Sequence, residues 1–99
     1  MPIPLQNKVA IITGASAGIG ESVSRKLAAQ GVSVVLAART AEPLEALAQD
    51  IQKSGGKALA VPTDVGSHED QENLIQATLD AYGQIDIVVN NAARRAAIF

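Results

Sequence analysis

The 99-residue sequence predicts an α/β fold in which helices return across a parallel sheet. Two observations carry that reading. Four short apolar runs, VAII (9–12), VSVVLAA (32–38), ALAV (58–61) and IDIVV (85–89), recur at intervals of about 25 residues, with helically spaced segments between them. Strands separated by helices pair in parallel through right-handed crossovers. The runs are also apolar almost throughout instead of alternating, as expected for strands covered on both faces. The predicted order is β-α-β-α-β-α-β.

Each helix has a face and a boundary. Ile19, Val23 and Leu27 fall four apart in the first segment. Leu44, Leu47 and Ile51 share a face in the second, and Leu74, Ile75, Thr78 and Tyr82 do so in the third. Gly31, Gly55-Gly56 and Gly83 follow the three segments, where a residue tolerant of positive φ ends a helix well. Thr40 is positioned to cap the second helix, with Pro43 in its first turn, where a missing N–H costs little. Ser67 is positioned to cap the third, with Glu69 and Asp70 near its positive end. The segments share no repeated signature, which argues against a solenoid. One domain without an internal linker is expected.

Composition narrows the function. Apolar residues make up 47% and charged residues 18%, which favours a globular fold over disorder. With one Tyr, one Phe and no Trp, the core has to be built from Val, Ile, Leu and Ala. A net charge of −2 offers no broad basic surface for nucleic acid or anionic lipid. The absence of cysteine excludes disulfides, thiolate metal sites and thiol catalysis within this sequence. No apolar run approaches the roughly 20 residues that cross a bilayer, and MPIPLQNK lacks a signal-peptide pattern. A cytoplasmic protein is expected.

The chemically suggestive stretch is TGASAGIG, Thr13 to Gly20, where the first strand turns into the first helix. A helix start carries unpaired N–H groups and positive partial charge, so an approaching phosphate gains both hydrogen bonds and a favourable field. Glycines at 14, 18 and 20 let the turn adopt positive φ and let a ligand reach the backbone without meeting a Cβ. Ser16 adds a hydroxyl. Glycines needed only for close strand–helix packing would give the same pattern. The spacing is G-x-x-x-G-x-G, not the general G-x-G-x-x-G fingerprint, and no Gly-Lys-Ser/Thr ends it as in a P-loop.

In context, VAIITGASAGIG resembles the TGxxxGxG cofactor motif of the short-chain dehydrogenase/reductase family. PTDV (62–65) and NNAA (90–93) resemble later family motifs, in the same order and at suitable spacing. The family usually has NNAG at the last of these, so Ala93 departs from it. The resemblance covers about residues 8–93 and implies a truncated Rossmann-like, doubly wound parallel sheet of strand order 3-2-1-4. Residues 1–93 would form an NAD(P)-binding domain, and the tail 94–99 has no assignable role.

The resemblance also implies a nicotinamide dinucleotide across the carboxyl ends of the strands. Gly14, Ser16, Gly18, Ile19 and Gly20 would form the phosphate-binding turn, with Ile19 contributing its backbone N–H. Asp64 and Val65 would hold the adenine, and Asn91 would lie beside the nicotinamide-side ribose. Ala38 stands where the family's NAD-selecting acid would be, and Arg39 follows, with a guanidinium fork suited to a 2′-phosphate. NADP is therefore expected in preference to NAD. Ala17 stands where many NADP-binding relatives carry a second basic residue. Arg39 as a solvated charge, Asp64 as a turn-forming residue and Asn91 as a purely structural group are the alternative readings.

The family's hydride transfer between the nicotinamide and a carbonyl or alcohol uses a serine and a Tyr-x-x-x-Lys pair. Here the single tyrosine is Tyr82, and Asp86 stands four residues later. No catalytic residue and no metal ligand is assigned. His68 reads as an exposed first-turn residue and Arg94-Arg95 as a solvated pair. The expected function is the cofactor-binding, amino-terminal portion of an oxidoreductase, not competent for turnover by itself. A non-catalytic nucleotide-binding or interaction module and an inactive truncated product are the alternatives. An open edge at the fourth strand makes self-association a further expectation.

Overall fold

The computed structural model describes residues 5–16 and 18–91. Chain order is β1 (Val9–Thr13), α1 (Gly18–Ala29), β2 (Ser33–Ala38), α2 (Ala41–Lys53), β3 (Lys57–Pro62), α3 (His68–Tyr82) and β4 (Ile87–Val89). The four strands form one parallel sheet in the order β3-β2-β1-β4, as expected.

The register explains the runs of apolar residues. Ile11 lies opposite Val35 on one side and Val88 on the other, and Val35 in turn lies opposite Leu59. Every residue of β1 and β2 is buried, because both strands are interior and helices cover both faces. Ala10, Ile12, Val34 and Leu36 face Leu44, Leu47 and Ile51 of α2, with Leu27 and Ala28 of α1 packed alongside. On the opposite face, Ile11, Val35 and Ala37 meet Leu74, with Tyr82 and Ile85 against them. Helices α1 and α2 thus cover one face and α3 the other.

The helix boundaries mostly match expectation. Gly31, Gly55 and Gly83 all have left-handed φ, and the Gly83 amide closes α3 by donating to the Leu79 carbonyl. Ser67 caps α3, its hydroxyl accepting from the Asp70 amide at 3.2 Å. Thr40 differs: it has the extended backbone of a cap residue, but its side chain makes no capping bond.

The buried faces differ in two places. In α1 the buried residues are Gly20 and Ser24, while Ile19 is 72% exposed. The first turn of the helix is pressed onto the end of β1, and only small residues fit that approach. Ser24 also turns its hydroxyl back to the Gly20 carbonyl at 2.7 Å. In α3, Leu74 and Thr78 are buried and Tyr82 half-buried, but Ile75 points outward.

The fourth strand is shorter than the apolar run that foretold it. Asp86 precedes it and takes over the pairing with β1. Its amide donates to the Val9 carbonyl at 2.9 Å, and its Oδ2 accepts from the Val9 amide at 2.8 Å. A side-chain oxygen therefore stands in for a backbone carbonyl at the first rung.

Candidate dinucleotide site

Sheet order alone marks a switch point. From β1 the chain steps outward to β2 and β3, then returns to place β4 on the other side of β1. Strand order thus reverses between the carboxyl ends of β1 and β4, and open α/β sheets bind ligands at such a switch point. The turn after β1 and residues Asn90 and Asn91 after β4 flank this point.

The glycine turn has the backbone its residues were expected to provide. Gly14 and Gly18 have φ of 62° and 61°, in the left-handed region that favours glycine. Gly20 is required for a different reason. A Cβ there would lie 2.1 Å from the Gly14 carbonyl oxygen and 2.8 Å from Asn91 Nδ2. Space is tight on the sheet side of Gly20 and open at Gly18, where a Cβ would meet nothing within 4 Å. Ala15 anchors the turn, wholly buried, with its amide donating to the Ala37 carbonyl at 3.2 Å. Ser16 is half-buried beside it, and Ile19 lies exposed on the first turn of α1. Ala17 lies outside the described residues.

Asn91 joins the turn from the far side of the switch point. Its amide donates to Thr13 Oγ1 at 2.9 Å, and its Nδ2 donates to the Gly14 carbonyl at 3.3 Å. The Thr13 hydroxyl lies 3.3 Å from both the Val89 carbonyl and Asn90 Oδ1, within reach of either acceptor. Thr13 was not among the predicted site residues. The signal for it was present, since a hydroxyl at the buried end of a central strand needs partners. Which partners it finds depends on β4 lying next to β1.

On the other side, Arg39 and Asp64 leave the ends of β2 and β3. The Thr63 amide donates to the Ala38 carbonyl at 2.7 Å and brings the two loops together. Asp64 forms a turn, its Oδ1 accepting from the Gly66 amide at 2.9 Å, as one alternative reading anticipated. Its amide donates to Asp70 Oδ2 at 2.8 Å. Its remaining oxygen, Oδ2, faces Arg39 Nη2 at 3.7 Å. The half-buried Val65 presents its carbonyl to the Gln71 side-chain amide. Asp70 and Gln71, also absent from the predicted set, thereby fix this loop from α3.

Asp64, Arg39, Gly14 and Asn91 therefore follow one another along a single sheet edge in strand order. At about 4.8 Å between strands, that row is about 14 Å long. Tyr82 ends α3, which runs back from the carboxyl edge, so it lies toward the opposite edge. Burial against the apolar cluster of that face raises its phenol pKa above the ordinary value. His68 is exposed, with Nε2 3.2 Å from Glu72 Oε1. Among the described residues no group of His, Asp and Glu could hold a metal ion, and no helix is long and apolar enough to cross a membrane. Ala93, Arg94 and Arg95 lie outside the described residues.

The model of the short chain dehydrogenase family matches residues 8–98. The chain belongs to that family. An uncharacterized oxidoreductase of Listeria innocua is 46% identical over 88 residues, which are 89% of this chain and 36% of that protein. The short-chain dehydrogenase/reductase homolog YusS of Bacillus subtilis is 40% identical over 88 residues and is itself covered to 81%. This short-chain dehydrogenase chain thus spans about a third of one relative and most of another. Among solved structures, a metagenomic short-chain oxidoreductase in complex with NADP superposes with a TM-score of 0.85 at 38% identity. That match covers 92% of this chain and 41% of that one. A short-chain dehydrogenase/reductase from Burkholderia phymatum in complex with NAD also gives 0.85, at 30% identity, covering 88% and 31%. Both pyridine dinucleotides therefore occur among its structural neighbours.

Proposed function

We propose that the carboxyl edge of this sheet holds NADP(H) and that the chain is the dinucleotide-binding portion of an oxidoreductase. The observation that carries the reading is Gly18, which opens α1 with a left-handed φ of 61° and open space where a Cβ would stand, so packing against the protein does not account for it. An open helix start offers its first amides, with their positive partial charge, to an anionic ligand at the switch point. Gly14, Ser16, Gly18, Ile19 and Gly20 are the residues for the pyrophosphate, Asp64 and Val65 for the adenine, and Asn91 for the ribose on the nicotinamide side.

The preference for NADP(H) rests on Arg39. It follows Ala38 at the end of β2, a strand end that itself supplies no acid for the ribose hydroxyls. Its side chain is 66% exposed, and its guanidinium fork suits a 2′-phosphate. When bound, the nicotinamide would supply hydride exchange with a carbonyl or alcohol. The residues present bind and orient the dinucleotide. The purified chain is expected to bind NADP+ weakly and to catalyse no carbonyl-dependent oxidation of NADPH. Calorimetric titration with NADP+ and NAD+ tests this. Arg39→Ala should weaken NADP+ by about tenfold or more, while NAD+ is little changed, because only NADP+ has the extra phosphate. Equal losses for both would refute the role of Arg39.

The β4 edge supports a second reading, an interaction module that pairs with another copy of the chain. Val88 is 62% exposed on the outermost strand, and Ile75 and Leu79 of α3 are exposed at 48% and 40%. No charge interrupts Ile87–Val89 to protect that edge.

A further inference from the structure

Arg39 and Asp64 form an ion pair whose consequences neither residue would have alone. Asp64 is held in place on two sides: its amide donates to Asp70 Oδ2, and its Oδ1 accepts from the Gly66 amide. This leaves Oδ2 toward Arg39 Nη2 at 3.7 Å. Arg39 has an exposed side chain, and the carboxylate held in this way is an anionic partner within 4 Å of its guanidinium.

We infer that Asp64 is a specificity-determining residue that competes with the 2′-phosphate of NADP(H) for Arg39, lowering the preference for NADP(H) over NAD(H). This inference rests on the cofactor reading above. A guanidinium resting on a carboxylate must leave that partner, or share its charge, when a phosphate arrives. NAD(H) carries no 2′-phosphate and leaves the pair intact. Asp64 therefore opposes one cofactor and not the other through a residue that only one of them needs. The pair is exposed on both sides, so its influence is modest and falls as salt screens it.

The test uses the whole 99-residue chain and its Asp64→Asn variant, titrated calorimetrically with NADP+ and NAD+. Asparagine keeps Oδ1 as acceptor for the Gly66 amide while removing the charge. The ratio of Kd for NAD+ to Kd for NADP+ should rise by about two- to fivefold at low ionic strength, and by less as salt is added. Asp64→Ser, which also retains an acceptor, should move the ratio the same way. In an Arg39→Ala background the same substitution should leave the ratio unchanged. A ratio that stays level or falls in Asp64→Asn overturns the competition. So does a rise that persists undiminished without Arg39, since the carboxylate would then be acting on the phosphate directly. Failure of the parent chain to bind either nucleotide would sink the cofactor reading and this inference together. Binding of both with an unmoved ratio would sink this inference alone.

Discussion

The hydroxyl of Thr13 accepts a hydrogen bond from the Asn91 amide at 2.9 Å, joining the carboxyl ends of β1 and β4 across 78 positions of sequence. The same asparagine reaches the Gly14 carbonyl, so one short chain of bonds connects the fourth strand to the glycine turn. Thr13→Val keeps the shape but leaves the Asn91 amide without that acceptor. The expected cost is about 1–2 kcal/mol in chemical denaturation. Affinity for NADP+ and NAD+ should fall together, since both would use the same turn. A selective loss of one cofactor would contradict this.

Gly18 and Gly20 should respond differently to the same added methyl group. Gly18→Ala meets open space but a left-handed φ of 61°, and should cost about 1 kcal/mol. Gly20→Ala drives a Cβ into the Gly14 carbonyl and should cost about 2–3 kcal/mol, with loss of nucleotide binding. Thermal melts of the two variants side by side check the order. Equal costs would mean that α1 can back away from the turn.

Asp86 gives the chain a defined acid sensitivity. The Val9 amide, and secondarily the Gln84 side chain, hold its carboxyl below its ordinary pKa of 3.8. A carboxylate whose pKa is lower when folded contributes stability that is present above the unfolded value. That contribution is lost as pH falls from there through the folded value. Asp86 should therefore add nothing to the pH dependence near neutrality and steepen the loss of stability below about pH 4. Asp86→Asn should flatten that part of the curve, measured as urea midpoint against pH. An unchanged acid limb would show that the carboxylate is not selectively stabilised.

The exposed edge predicts association that one charge can reverse. Val88→Lys places a cation on the outer face of β4 at a position already 62% exposed. Sedimentation of the parent chain should show concentration-dependent mass, which the variant reduces while its thermal midpoint stays within about 1 °C. A parent chain that remains monomeric at high concentration would remove the self-pairing reading.

The fold was largely legible before any coordinates, and particular residues show why. Leu44, Leu47 and Ile51 lie on one helix, and their periodicity already encodes the face they bury. The stripe of Ile19, Val23 and Leu27 held at Leu27, which packs against the core, and failed at Ile19 for a related reason. Periodicity marks the side of a helix that carries apolar groups, whereas the side of closest approach at α1 had to be nearly without side chain, which selected Gly20 and Ser24. In IDIVV the apolar pattern extended through Asp86, but a carboxylate that takes an amide in place of a carbonyl leaves no periodic mark.

By itself the sequence determined the alternation of strands and helices, the parallel sheet, and the glycine corner at the first strand's end. Each of these is marked by a pattern of residues near one another along the chain: apolar runs, helical spacing and clustered glycines. Tertiary structure alone decided that Thr13 meets Asn91, that Arg39 faces Asp64, and that the outer face of Val88 is open. Those relationships depend on the order in which strands lie side by side. That order is set by burying both faces of β1 and β2 at once, which no local stretch of sequence records.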